Sequence, residues 1–222
     1  MENSELLEKK YWDIKQNRGM CKRQSDHPVT KFFASQRFDY INSKINLEHT
    51  KTCLDVGSGT GYGSSNCPPA FKITALDFSN LNLKLNKTNR KIQASVYNLP
   101  FRDNSFDLVY GWEFLHHLEN PQKAVNEMMR VTTKYLILIE PNRYNIGVFL
   151  YAIIEKIERK MLQYNKSKIL NLLNNQFRII SCDSIGWIFA GSTPLFLLNL
   201  LKHLPFRNIF GVANIVIATK EN

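Results

Sequence analysis

Apolar positions in this chain gather in short, nearly continuous runs. The runs are KTCLDV (51–56), KITALD (72–77), KIQASV (91–96), SFDLVYG (105–111), YLILIEP (135–141), FRIISCD (177–183) and VANIVIATK (212–220). Runs of strand length without strict alternation are the pattern of strands buried on both faces, as in a parallel sheet covered by helices. Helical segments fall between several of them. A polar stretch with helical character extends to about Leu47. Asn120 and Pro121 read as the N-cap and first position of a helix, and PQKAVNEMMRV (121–131) puts Ala124, Met128 and Val131 on one face. The crossover between the first two strands is unusually short, because Pro68 and Pro69 end whatever helix begins near Tyr62. Strands alternating with helices predict an α/β chain.

The link after the first run is CLDVGSGTGYG (53–63), with Gly57, Gly59, Gly61 and Gly63 behind one carboxylate, Asp55. In open α/β sheets ligands bind beyond the carboxyl ends of the strands, where this loop lies. It is not a P-loop, because no Lys follows the glycines. It is not a dinucleotide fingerprint either: counting from Gly57, Tyr62 stands where GxGxxG needs its third glycine. Asp55 would repel a pyrophosphate but attract an amino group. S-adenosylmethionine fits that requirement, being a nucleoside with a cationic amino-acid tail and no phosphate. Glycines let the backbone approach such a ligand closely. Asp77 ends the second run, where its two oxygens can accept both ribose hydroxyls, or it is a surface turn residue.

The stretches LDVGSGTGYG, ALDFS, NLPFRDNSFDLVYGWEFLHHLENP and LILIEPNRYN resemble, in order, the motifs of class I S-adenosylmethionine-dependent methyltransferases of the type 11 group, which includes the ubiquinone/menaquinone methyltransferases. The resemblance covers about residues 51–145 and is specific for cofactor and fold, not for substrate. It implies a doubly wound, Rossmann-like, mostly parallel seven-stranded sheet whose last strand is antiparallel. It places Asp55 near the methionine amino group, with Gly57, Ser58, Gly59 and Gly61 along the methionine and ribose. Asp77 takes the ribose hydroxyls and Phe78 packs on the adenine. Ser95 and Val96 fall where the family often carries an acidic and a small residue reading the adenine amino group. Ser95 departs from that pattern and can accept a hydrogen bond only without charge. Gly111 and Trp112 lie beside the methionine tail. Tyr11 and Trp12 resemble the N-terminal aromatic pair that closes over the cofactor, or they are ordinary helix packing. The expected organisation is one domain, 1–222: an N-terminal helical lid (1–47), a cofactor core (48–141) and a substrate side (142–222).

A methyl on a sulfonium is intrinsically reactive, so such an enzyme mainly aligns the acceptor and excludes water. A base is needed only where the acceptor loses a proton. Glu113, His116 and His117 are the candidates, with Glu140 either a further one or a structural hydrogen-bonder. The resemblance favours one histidine being a packing or hydrogen-bonding residue, since HHL recurs in the family across different chemistries.

Charge sharpens the picture of the last third. The chain carries 29 Lys and Arg against 19 Asp and Glu, net +10, and residues 141–222 hold 10 basic and 4 acidic groups. Basic side chains there flank two greasy insertions, 145–173 and 185–211. This predicts a hydrophobic lid or a monotopic face on an anionic membrane, and an O or C acceptor atom on a hydrophobic, lipid-like or prenylated small molecule. One alternative is tRNA or RNA modification, since the motif NLPFRDNSFD also occurs in tRNA-modifying relatives. No appended RNA module or Arg-rich stripe supports it. A second alternative is a non-catalytic cofactor-binding partner subunit. The N-terminus is charged and lacks the apolar core of a secretory signal, and no run of about 18 apolar residues predicts a spanning helix, so a cytoplasmic chain is expected. Cys21, Cys53, Cys67 and Cys182 form no CxxC pair, so reduced thiols and no metal are expected.

Overall fold

The structure is a computed structural model, and it describes residues 10, 13–14, 25–48, 50–187 and 193–221. Each apolar run forms a strand: β1 (Thr52–Val56), β2 (Lys72–Asp77), β3 (Arg90–Gln93), β4 (Phe106–Trp112), β5 (Thr132–Pro141), β6 (Phe177–Ile185) and β7 (Ala213–Lys220). They make one seven-stranded sheet in the order β3-β2-β1-β4-β5-β7-β6. Neighbours from β3 to β5 pair in parallel, while β7 runs antiparallel to both β5 and β6.

Alternate residues of the central strands feed two cores. Leu54, Val109, Leu136 and Leu138 point to one face and pack on helix α3 (Pro121–Val131) through Ala124, Val125 and Met128. Asn120 caps that helix as expected, its side chain accepting the Lys123 amide. Cys53, Leu108, Tyr110, Ile137 and Ile139 point to the other face, which helix α1 (Pro28–Lys44) covers with Phe33, Phe38 and Ile41. Pro28 opens α1, and the His27 ring accepts the Val29 amide at 3.2 Å.

Two local expectations change. Strand β3 stops at Gln93 rather than residue 96, because the chain turns at Ser95: its hydroxyl accepts the Tyr97 amide and its carbonyl the Asn98 amide. The helix expected near Tyr62 is a single 3₁₀ turn, Ser64–Asn66, leaving Cys67 and the two prolines to lead directly into β2. A short helix, α2 (Asn80–Leu85), then links β2 to β3. In the N-terminal stretch, Lys10, Asp13 and Ile14 are helical as well as α1, and Tyr11 and Trp12 lie outside the described residues.

The long insertions fold into short pieces. The first carries α4 (Ile146–Ile154), a 3₁₀ segment (Lys156–Gln163) and α5 (Lys166–Leu170); the second carries α6 (Leu195–Leu201). They leave the carboxyl ends of β5 and β6, at the edge of the sheet that also carries the glycine loop. Among the described residues no helix is long and apolar enough to cross a membrane.

Ile137 is fully buried on the interior strand β5, between β4 and β7. Ile137→Ala is expected to cost about 2–5 kcal/mol, read in urea unfolding as a lower midpoint at unchanged slope.

Candidate functional site

Acidic side chains stand at the carboxyl ends of four parallel strands: Asp55 on β1, Asp77 on β2, Glu113 just after β4 and Glu140 on β5. Each meets a different environment.

Asp55 is almost fully buried, and its Oδ2 has no hydrogen-bond partner. It pairs in register with Tyr110 across β1 and β4, and the Tyr110 hydroxyl and the Trp112 indole Nε1 are also buried without partners. Unpaired buried polar atoms are costly and call for an explanation. Burial pushes the Asp55 carboxyl up to about 7, while the nearby Ser64 and Tyr110 hydroxyls pull the other way. The aromatic floor here is Trp112, with Phe33 stacked at 5.9 Å and Tyr62 edge-on at 5.7 Å.

The glycine loop turns directly over β1. Gly57 and Gly61 have φ of 70° and 85°, the region that favours glycine. A Cβ on Gly57 would sit 2.7 Å from the Phe114 ring, and one on Gly61 would sit 2.5 Å from Asn86 Oδ1. The Ser58 amide donates to the Leu76 carbonyl at 2.9 Å, tying the loop to β2. Asn86 braces it from below, its Nδ2 reaching Ser64 Oγ at 3.2 Å and Ser58 Oγ at 3.4 Å.

Asp77 accepts the Gly59 amide on one oxygen and the Ser79 amide on the other, each at 2.8 Å. The Asn82 side chain donates to it as well, and a carboxylate has about four acceptor positions, so capacity remains for a further donor. Burial raises its pKa to about 6 against these amides. The Ser79 hydroxyl donates to Asp13 at 2.7 Å, so the N-terminal segment reaches the end of β2. Phe78 and Ser95 are half-buried beside this edge and Val96 is buried. A Cβ on Gly111 would collide with the Phe114 ring.

Glu140 is fully buried and saturated. It accepts the amides of Phe114 and Leu115 on Oε1, and the His116 amide and ring on Oε2, the ring Nδ1 at 2.6 Å. It thereby holds the 3₁₀ turn Leu115–His117 that follows β4. The other ring nitrogen of His116 faces Glu158 at 3.4 Å. Burial opposes charge on this ring, but the Glu140 and Glu158 carboxylates outweigh it and push His116 up to about 10. With both nitrogens turned to carboxylates, His116 has no lone pair to offer an acceptor's proton. His117 and Glu113 are partly exposed. Glu113 has a φ of 53°, a strained value for a non-glycine residue.

Sequence reasoning missed Arg37. It is fully buried, its guanidinium 3.2 Å over the Phe33 ring and 3.8 Å from Glu113. The signal was present: Phe33, Arg37 and Ile41 share one helical stripe, and a cation on an apolar stripe implies a buried partner. Asn86 and Glu158 carried no such signal.

A Rossmann-like sheet with a glycine loop, an unpaired acid after β1 and an acid ending β2 defines a nucleoside-cofactor protein of the methyltransferase type. The family model described as "Methyltransferase domain" matches residues 54–138. An uncharacterized protein of Methanocaldococcus jannaschii is 30% identical over 165 residues, 71% of this chain and 70% of that protein. The chain belongs to the class I S-adenosylmethionine-dependent methyltransferases, and its cofactor is S-adenosylmethionine. A demethylmenaquinone methyltransferase of Paenarthrobacter aurescens is 30% identical over 138 residues, 52% of this chain and 54% of that protein. The chain thus spans only about half the length of that relative. In fold, it is similar to the plantazolicin methyltransferase BpumL, solved with S-adenosylhomocysteine: 17% identity, TM-score 0.65, covering 96% of this chain and 94% of that one.

Glu140→Gln would point an amide NH₂ at backbone donors or at His116. The loss expected is about 3–5 kcal/mol, read as a lower unfolding midpoint, whereas an exposed control such as Glu119→Gln leaves the midpoint unchanged.

Proposed function

We propose that this methyltransferase moves the methyl group of S-adenosylmethionine to an O or C atom of a hydrophobic, lipid-like or prenylated small molecule at a membrane surface. The observation that carries this reading is the apolar face built by the two insertions. On α4, Ile146 and Ile154 are 72% and 75% exposed, with Phe149 and Leu150 beside them; on α6, Phe196 is 76% exposed, with Leu195 and Leu200. Isolated exposed apolar residues need no explanation, but several on one short helix, as on each of these two, support an interaction surface. The Asn145 side chain donates to the Phe210 carbonyl at 2.7 Å, and Asn142 donates to the carbonyls of Ile209 and Gly211, so the exposed Ile209–Phe210 loop is held against the start of α4. Lys156, Arg159, Lys160 and Lys202 flank these pieces, as expected for a monotopic face on anionic lipid. The names of the quinone-modifying relatives fit an acceptor of this class.

The cofactor supplies an electrophilic methyl group on a sulfonium. The unpaired Oδ2 of Asp55 suits its ammonium group, which would satisfy an otherwise orphaned acceptor. Gly57, Ser58, Gly59 and Gly61 let the backbone lie along the tail and ribose, with Gly111 and Trp112 on its other side. Asp77, at the end of β2, takes the ribose hydroxyls on its remaining acceptor capacity. Phe78, Ser95 and Val96 line the adenine side, and Tyr11 closes from the N-terminus. Where the acceptor is a hydroxyl, its proton goes to Glu113, held in its strained conformation at the end of β4. His116 keeps the turn in place.

Three results test this account. Purified protein given methyl-labelled cofactor and a lipid extract should label the apolar fraction; label found only in added tRNA would sink the hydrophobic acceptor. The cofactor's ammonium stabilises ionised Asp55, whose carboxyl otherwise titrates at about 7. Cofactor binding therefore releases a proton, and affinity should rise as pH increases through that value. Asp55→Asn should lose about 1–3 kcal/mol of binding together with most of that pH dependence; titration calorimetry reads both. Finally, the protein should float with anionic vesicles at low salt and not with neutral ones. Ile154→Ser with Phe196→Ser should cut that binding roughly tenfold or more; equal flotation of the double variant would refute the membrane face.

A further inference from the structure

A second cluster lies beside the cofactor edge, under the turn after β4. His116 Nε2 and His117 Nε2 stand 3.4 and 3.7 Å from the same atom, Glu158 Oε2. Both distances are long for a direct N–H···O bond, which is roughly 2.7–3.2 Å. They suit two donors sharing a metal ion: with bonds of about 2.0–2.1 Å at tetrahedral angles, neighbouring ligand atoms lie about 3.3–3.5 Å apart. One donor atom from each of His116, His117 and Glu158 lies within 4.8 Å of the others. The two imidazoles sit close, their centroids 4.0 Å apart.

The surroundings have the supporting shell that metal-ligating histidines use. A carboxylate on the far ring nitrogen fixes the tautomer and frees the near nitrogen's lone pair for the ion. Glu140 does this to His116, at 2.6 Å on Nδ1, and Glu140 is itself fixed by the amides of Phe114, Leu115 and His116. The cluster joins distant parts of the chain: the histidines follow β4, and Glu158 comes from the 3₁₀ segment of the first insertion.

We propose that His116, His117 and Glu158 form a binding site for a divalent transition-metal ion of the zinc type, with Glu140 orienting His116. Two imidazoles and one carboxylate suit zinc better than magnesium or calcium, which prefer all-oxygen sets. On binding, the ion takes the place of the proton on His116 Nε2, which leaves to solvent, while the other proton stays on Nδ1 and is donated to Glu140. Three protein ligands leave a fourth position for water or an acceptor oxygen. The ion would also pin the first insertion to the turn beneath the cofactor edge. The cysteine pattern had pointed to no metal, and this site uses no cysteine. The proposal does not depend on the identity of the methyl acceptor.

The test uses the full chain, free of any affinity tag and stripped with a chelator. Cobalt(II) is titrated in while the visible spectrum is recorded. The expected result is one equivalent bound, with the ligand-field bands of a four-coordinate ion, displaced by one equivalent of zinc. His117→Ala, at the partly exposed rim, and Glu158→Gln should each weaken uptake at least tenfold while circular dichroism shows the fold intact. The proposal is overturned if the folded wild-type chain takes up no cobalt, if both variants bind as wild type does, or if intense thiolate charge-transfer absorption puts the ion on cysteine.

Discussion

The structure turns on how buried carboxylates at one edge of the sheet are satisfied. Removing a carboxylate from water is costly unless donors replace the water. Glu140 receives three amides and an imidazole. Asp77 receives two amides. Asp55 keeps one oxygen with no partner at all. These three states give three jobs. The saturated acid builds the turn after β4. The half-saturated one fixes the glycine loop and retains acceptor capacity. The unsatisfied one is the acid that the proposed function pairs with the cationic amino-acid tail of the cofactor.

The same edge sets where the two long insertions emerge. Parallel strands send every carboxyl end to one rim, so the insertions after β5 and β6 emerge beside the cofactor loop. Only short pieces of helix form there, and they leave Ile146, Ile154 and Phe196 in water. Meanwhile the crossover after β1 has shrunk to one 3₁₀ turn, and α1 covers that face of the sheet instead.

The strands were largely legible, because a strand buried on both faces must be apolar nearly throughout, and β1, β2, β4 and β5 are. The antiparallel last strand came from family resemblance rather than from pattern. The end of β3 was misjudged because the apolar run continues past the point where the Ser95 hydroxyl captures the Tyr97 amide. At the site, Asp55, Asp77 and the glycines were visible because their chemistry is local to a strand end. Glu140 was left between two roles, and only its amide partners show that it is saturated. The stripe position of Arg37 was legible but its partner was not, and Glu158 could not be placed, since each acquires its meaning from a residue far away in the chain: Glu113 for the first, the two histidines for the second.

The assignment of Asp55 to the cofactor's amino group can be isolated by changing the ligand rather than the protein. Calorimetric titration would compare S-adenosylhomocysteine with 5′-methylthioadenosine, which keeps the adenosine and sulfur but lacks the amino-acid tail, at a pH above the Asp55 value of about 7. A charge-assisted hydrogen bond lost from a buried acceptor is worth about 1.5–3 kcal/mol, so the truncated ligand should bind at least tenfold more weakly. Equal affinities would mean that the tail finds no partner in this protein and that the unpaired oxygen of Asp55 serves something else.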